Sequence, residues 1–325
     1  MSNIGKNNET DQKETYKVIN WSTYNQSLVR RGDLTIWIDE DIAETWLYTG
    51  PMQQGSQYYY SDACIEFLLN LKVLFRLPYR QTEGFGNSLL RLIGYDLDVP
   101  SYTQICRRAE GLEIAAQVPM SKESMHLVMD STGLKIYGEG EWKVRKHGVS
   151  KRRTWRKLHL AVDERTGHIH ASSLTENGIS DASQVPNAIE QIDREIDCFS
   201  ADGAYDTYEV WSLLHRHEIE GLIPPQRGAN YWTDDEGELL DLDRNKILQM
   251  IDEKKDEEVG RQHWKKNTNY HRRSISENSM FRFKTIFGNK MYSRKIEKQK
   301  TEAKIKVKVL NRMTACGMPI SVKVA

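Results

Sequence analysis

The chain has 325 residues, with 46 lysines and arginines against 46 aspartates and glutamates, so its formal net charge is zero. That excludes a uniformly basic nucleic-acid coat; any nucleic-acid surface has to come from local charge. A mean hydropathy of −0.66, with 28% charged and 38% hydrophobic residues, describes a water-soluble chain with enough apolar material for one large domain plus a smaller one, or for two to three modest ones.

Residues 1–60 read as an N-terminal arm. The first fifteen are rich in Asn, Glu and Lys and are expected to be disordered. They hold no apolar core of a secretory signal, and no later run approaches a membrane span. "LTIWID" (Leu34–Asp39) reads as a short strand or buried arm. The four cysteines, Cys64, Cys106, Cys198 and Cys316, contain no C-x-x-C pair. They read as reduced thiols of a cytosolic protein rather than as zinc ligands.

From Ser61 the pattern turns helical. "SDACIEFLLNLKVLFR" places Ser61 and Asp62 as caps before Ile65, Leu68, Leu69 and Val73. Pro78 opens a second helix that Gly94 stops, and "SYTQICRRAEG" forms a third, with Arg107 and Arg108 near its end. Three short helices over 61–118 suit a DNA-binding helix-turn-helix unit or an ordinary helical subdomain.

Residues 121–320 have α/β character. "MHLVMD" is an apolar strand ending in Asp130. "RKLHLAVDERTGHIHASSL" is a hairpin turning at Arg165-Thr166-Gly167. "DASQVPNAIEQI" is helical, "CFSADG" is a strand ending in Asp202, "DTYEVWSLLHRH" is helical and "EGLIP" is a strand. That order predicts a mixed sheet with helices on its faces. The segment "TDDEGELLDLDRNKILQMIDEKKDEE" (233–258) is strongly acidic. It reads as a solvated insertion, spanning about 226–262 with its flanks.

Two stretches are locally basic. "KVRKHGVSKRRTWRK" (143–157) has no acid and includes Arg152 and Arg153; Arg261–Lys300 has only Glu277 and Glu297. Interleaved Trp142, Trp155, Trp264, Tyr270 and Phe281 suit a phosphate track with stacking platforms, whereas an isolated charge run is simply a solvated face. Asp130 and Asp202 are each followed by turn-forming residues, so each is either a turn former or a ligand at a strand end. At about 100° per residue, Tyr270, Arg273, Glu277 and Lys284 fall on one helical face, beside an apolar stripe of Met280, Phe283 and Phe287. Arg273 and Lys284 read as cations without an acid partner, free for phosphate. His159 and His147 read as packing or solvated histidines in preference to auxiliary DNA contacts.

The pattern Y-x2-R-x3-E-x6-K formed by Tyr270, Arg273, Glu277 and Lys284 resembles the signature of bacterial insertion-sequence DDE transposases. "DSTGLKIYGEGEWKVRKHG", "RTWRKLHLAVDERTGHI", "SADGAYDT" and "VLNRMTACGMP" resemble further motifs of the insertion-sequence-five type, in the same order. The resemblance implies a ribonuclease-H-like core and an N-terminal domain that reads the terminal inverted repeats. It implies Asp130, Asp202 and Glu277 as catalytic ligands of two Mg²⁺ ions (Mn²⁺ may replace them), with Asp130 bridging both. Tyr270, Arg273, Lys284, Arg152, Arg153, Arg107 and Arg108 are then DNA contacts. The implied activity is strand cleavage and transfer on double-stranded DNA, both transposon ends and target, by a homodimer assembled on DNA in the bacterial cytoplasm. Two other readings stay open: a domesticated, non-cleaving DNA-binding regulator, and a structure-selective nuclease with the same core.

Overall fold

The computed structural model describes residues 15–52, 55, 57–136, 155–254 and 256–324. The basic stretch 143–154, with Arg152, Arg153 and His147, lies outside the described residues, as do Trp142 and residues 1–14. The two ends of the described chain pair with each other: β1 (Thr15–Val18) runs antiparallel to the last strand, with Val18 opposite Ser321. Helix α1 (Trp21–Arg30) follows. "LTIWID" is not a strand. Leu34–Trp37 is a 3₁₀ turn capped by Asp33, and Trp37 is buried.

The three helices form where the caps place them. In α2 (Asp62–Leu74) the Ser61 hydroxyl accepts the Cys64 N–H at 3.0 Å. Pro78 precedes α3 (Tyr79–Leu92), and α4 (Tyr102–Arg108) starts with a reciprocal Ser101–Gln104 capping box.

The main sheet contains β2 (Met125–Ile136), β3 (Trp155–Asp163), β4 (Ile169–Glu176), β5 (Ile196–Ser200) and β6 (Glu220–Leu222), in the order β4-β3-β2-β5-β6. Strand β3 is antiparallel to β2 and β4, while β2, β5 and β6 are parallel. A three-strand meander continued by two parallel strands is the ribonuclease-H-like arrangement. The parallel pairs need crossovers. These are α5 (Val185–Glu190) before β5 and α6 (Tyr208–Arg216) before β6. The hairpin turn is fixed by buried Asp163, which accepts from the Arg165 N–H, the Thr166 hydroxyl and Arg194 at 3.0, 2.9 and 3.2 Å.

Alternation along the strands separates two cores. Leu158, Leu160 and Val162 face one, with α9 (Ser274–Phe287) and α10 (Ile296–Ala315); Ala161, Leu127 and Met129 face the other, with α5 and α6. The first core also takes in Ile65, Leu68, Leu90 and Ile105, so the helical unit shares its apolar centre with the main sheet. Glu66 of α2 pairs with Lys308 of α10, and Asn311 of α10 stitches both backbone groups of Ile169 to the Ala116 carbonyl.

The acidic segment is not a solvated insertion. It contains α7 (Asp243–Asp252) and leads into α8 (Glu257–Asn267), and Ile247, Leu248 and Ile251 are buried. Arg244 Nε donates to Asp206 Oδ1 at 2.8 Å, with both side chains at most 4% exposed. Trp211 Nε1 shares that oxygen at 2.9 Å, and the Gln226 N–H takes the other at 2.9 Å. Arg244 also stacks on Trp232 at 3.7 Å. The acids lie on the outer face and mask an apolar inner one.

Two expectations follow. Removing one member of a buried pair strands the other. Arg244→Ala should therefore destabilise the fold by about 3–5 kcal/mol in urea unfolding; a change within about 0.5 kcal/mol, typical of exposed sites, would restore the solvated reading. Second, burial lowers the pKa of His126, His159, His168 and His170, that of His159 to about 4. Below the ordinary value of 6.5 the unfolded chain takes up protons that the folded chain refuses. Stability is thus complete above pH 6.5 and is lost as the pH falls toward 4. Urea midpoints between pH 7 and 5 should report uptake of more than one proton on unfolding, and His159→Gln should remove about one of them.

Candidate active site

The site opens where one strand outlasts its neighbour. Strand β2 does not end at Asp130; it continues six residues to Ile136. It is β5 that stops, with its last pairing at Val128↔Ser200, and the next described partner on that edge is β7 (Lys290–Met291), at Lys135 and Ile136. Asp130 lies in the gap. Asp202 lies two residues past the end of β5, as Asp130 lies two residues past Val128, the partner of Ser200.

Asp202 Oδ1 caps the turn Gly203–Tyr205 by accepting the Ala204 N–H at 2.9 Å. Asp130 is 17% exposed; its Oδ1 accepts the Ser131 N–H at 2.7 Å. Its Oδ2 accepts from Arg273 Nη1 at 3.1 Å and, more weakly, from the Ser276 hydroxyl at 3.4 Å. Burial raises the Asp130 pKa above the ordinary carboxyl value, and the Asp202 charge adds to this, against the pull of the Ser131 amide and Arg273.

Glu277 stands in the first turn of α9, where an acid complements the helix N-terminus. It is 61% exposed, and its Oε1 accepts Arg273 Nη2 at 2.9 Å. One guanidinium therefore joins Asp130 to Glu277. Arg273 is not the unpaired cation that the sequence reading expected, since its partner one turn away is Glu277 itself. Nor do Tyr270 and Arg273 lie on α9; they occupy a 3₁₀ turn, Tyr270–Arg273, leading into it. Tyr270 donates its hydroxyl to the Ala201 carbonyl at 2.9 Å and packs its ring 5.1 Å from buried Trp264. Burial pushes that hydroxyl up to about 12. The turn thus ties the start of α9 to the residue before Asp202.

The transposase DDE domain family matches residues 121–312, more than half of the chain, and a second family of the same description matches residues 29–139. The chain belongs to the DDE transposase family. Among solved structures, it is 9% identical to the piggyBac transposase in a synaptic complex with hairpin DNA. That match covers 93% of this chain and 78% of the other, with a TM-score of 0.40. It is 12% identical to the Mos1 strand transfer complex, over 70% and 81% of the two chains, with a TM-score of 0.23. A chain of the simian T-cell lymphotropic virus intasome in complex with PP2A regulatory subunit B56 gamma is 15% identical over 45% of this chain, which spans 52% of that one; the TM-score is 0.24.

The family's cofactor class is divalent metal, and the donor chemistry of this transposase fits it. Asp130 and Asp202 offer hard carboxylate oxygens at one opening. Burial raises the Asp130 pKa even though the Ser131 amide, Arg273 and Ser276 all contact its carboxylate. Among the described residues no three His, Cys, Asp or Glu side chains converge on a single point. Glu277 is paired with Arg273.

The remaining predicted residues disperse. Lys284 is half-buried in the last turn of α9 and has no ion pair with a described residue; seven residues place it about 10 Å from Glu277 along the helix. Arg107 is exposed at the end of α4. Arg108 is engaged with Asp62, the Tyr60 carbonyl (2.9 Å) and the Tyr58 ring (3.8 Å). His159 is a packing residue, 1% exposed and bonded to the Thr175 hydroxyl at 2.8 Å. All four cysteines are free thiols. Sequence reading missed Ser276, which is fully buried beneath Asp130; its signal was the i+3 spacing from Arg273.

Ionised Asp130 opposes folding once the pH rises above the ordinary carboxyl value of 3.8, because its folded pKa is higher; below that value the cost is absent. Asp130→Asn should therefore melt above the wild type at pH 7 and lose the gain as the pH falls toward 4. Arg273→Ala should melt below it, with a double-mutant coupling to Asp130→Asn of about 0.5 kcal/mol or more. Additive effects would mean that the two side chains do not interact in solution.

Proposed function

We propose that this DDE transposase is of the insertion-sequence-five type, binds the terminal inverted repeats of its element, and cleaves and transfers DNA strands at the Asp130, Asp202 and Glu277 site. The observation that supports this reading is the Arg273 guanidinium, which links Asp130 on β2 to Glu277 in the first turn of α9. Asp202 stands close by, two residues past the end of β5, the strand that pairs with β2.

Asp130, Asp202 and Glu277 would hold two Mg²⁺ ions, or Mn²⁺ in their place. The metal, when bound, activates the attacking oxygen and stabilises the leaving 3′-oxygen of an in-line displacement at phosphorus. In cleavage a water oxygen–phosphorus bond forms and the phosphorus–3′-oxygen bond breaks. In transfer the freed 3′-hydroxyl is the attacking group. Tyr270 is held by its hydrogen bond to Ala201 and serves to position the α9 turn, so no covalent protein–DNA link is invoked. Arg273 contacts DNA by exchanging its two carboxylates for a phosphate, which its planar fork also grips. Lys284 adds a point charge further along α9. The helical unit reads the ends, with exposed Arg107 on α4 beside the duplex and Arg152 and Arg153 adding backbone charge. The active assembly is a homodimer on DNA in the bacterial cytoplasm; among the described residues no helix is long and apolar enough to cross a membrane.

Asp130→Asn, Asp202→Asn and Glu277→Gln should each lower Mg²⁺-dependent cleavage of end DNA by at least about a thousandfold, consistent with loss of several kcal/mol of transition-state stabilisation. Gel-shift affinity for the same ends should change little. A variant that still cleaves would take its residue out of the set. Loss of binding along with cleavage would mean that the carboxylates support the fold or the DNA interface instead.

A further inference from the structure

A second cavity, of about 940 Å³, lies between the α2–α3 turn, the start of α4 and the segment that joins α9 to α10. This is within the ~300–1,000 Å³ range of small-molecule sites. None of the three proposed catalytic carboxylates lines it. Five cations do (Lys72, Arg76, Arg80, Arg107 and Lys306) against one carboxylate, Glu302.

Glu302 is already satisfied. It is 7% exposed and accepts from Lys306 Nζ at 2.7 Å and from the Tyr292 and Ser293 N–H groups at 3.1 and 2.8 Å. Glu83, at the rim, accepts the Tyr102 N–H at the start of α4. Three of the other cations lean on a ring or a carbonyl. Lys72 lies over Tyr79 at 4.9 Å, Arg80 over Tyr102 at 4.5 Å, and Lys306 also lies near Tyr292 at 5.6 Å. Arg76 donates to the Ile286 carbonyl at 2.7 Å. Three tyrosines from three separate segments thus wall the cavity, each with a cation beside its ring, and Tyr292 is still 52% exposed. Burial holds the Lys72 ammonium below its ordinary pKa, with Glu302 pulling it up and Lys306 pushing it down.

Aromatic walls with unneutralised cations at the mouth recognise a flat ring that carries a phosphate. We propose that this cleft binds a single nucleotide, its base against the tyrosine walls and its phosphate on the arginines. Such a nucleotide can come free from solution or as the unpaired terminal nucleotide of a DNA strand. The site is separate from the carboxylates, so Asp130→Asn should leave it intact, and its fate does not decide theirs.

The test uses the full chain and two fluorescent duplexes of equal base-paired length, one blunt and one with a one-nucleotide overhang, with deoxyadenosine monophosphate as the free probe. The wild type should bind the overhang duplex about tenfold tighter, the scale of one base–aromatic stack. Arg80→Ala/Tyr292→Ala should remove that preference at unchanged blunt affinity and unchanged melting temperature, while Tyr292→Phe keeps it. If the double variant melts lower, Tyr292→Ala alone takes its place, since that ring is half exposed. Saturable monophosphate binding that the same variant loses would assign the free source; overhang preference without it would assign the DNA-borne one. Equal affinity for both duplexes with no monophosphate binding would overturn the proposal, as would a preference that survives the variant.

Discussion

The active region depends on a charge problem. Asp130 on β2 lies near Asp202, which follows the end of the neighbouring parallel strand β5, so two negative groups are close together, and one of them, Asp130, is largely withdrawn from water. Repulsion and desolvation both act against the ionised pair. Arg273 offsets part of that cost by reaching Asp130 at 3.1 Å while holding Glu277 at 2.9 Å. It is the cation that links the buried Asp130 to the exposed Glu277 in the free protein.

That constraint explains the surrounding architecture. Arg273 needs a fixed origin, and the Tyr270–Arg273 turn gives one by bonding Tyr270 to Ala201 and packing it on Trp264 of α8. Helix α8 is held in turn by α7, which is anchored through the buried Arg244–Asp206 pair beside β6. The acidic segment therefore supports the site from behind. On the opposite face, Phe283 and Phe287 dock α9 on the sheet, and α10 joins it to the helical unit. The helical unit and the sheet share one apolar core.

Much of this was legible in the sequence because it rests on local rules. Ser61, Pro78 and the Ser101–Gln104 box set the starts of three helices. The Arg165-Thr166-Gly167 turn gave the hairpin, and Met280, Phe283 and Phe287 gave the docking face of α9. Asp130, Asp202 and Glu277 stood out as acids in apolar or basic surroundings. What escaped was set by tertiary contact. Asp130 sits mid-strand because β2 stays paired to β3 as far as Lys135, and it is uncovered on the other edge because β5 stops at Ser200; neither can be read from the residues around Asp130. The Arg273–Glu277 pair has ordinary i, i+4 spacing, yet basic neighbours made Arg273 look free. Acids on the outer face of α7 hid Ile247, Leu248 and Ile251. Leu34–Trp37, apolar and β-branched, reads as a strand but has no partner strand and closes into a 3₁₀ turn.

The central claim is that Asp130, Asp202 and Glu277 form one metal-binding centre. Iron-directed cleavage measures this without relying on turnover. Fe²⁺ is loaded in place of Mg²⁺ on the full chain with end DNA, ascorbate and peroxide are added, and the backbone cuts are mapped by mass spectrometry. The account predicts cuts clustered near residues 130, 202 and 277, all suppressed by excess Mg²⁺ and all absent in Asp130→Asn. Cuts confined to one of the three, or lying elsewhere in the chain, would contradict it.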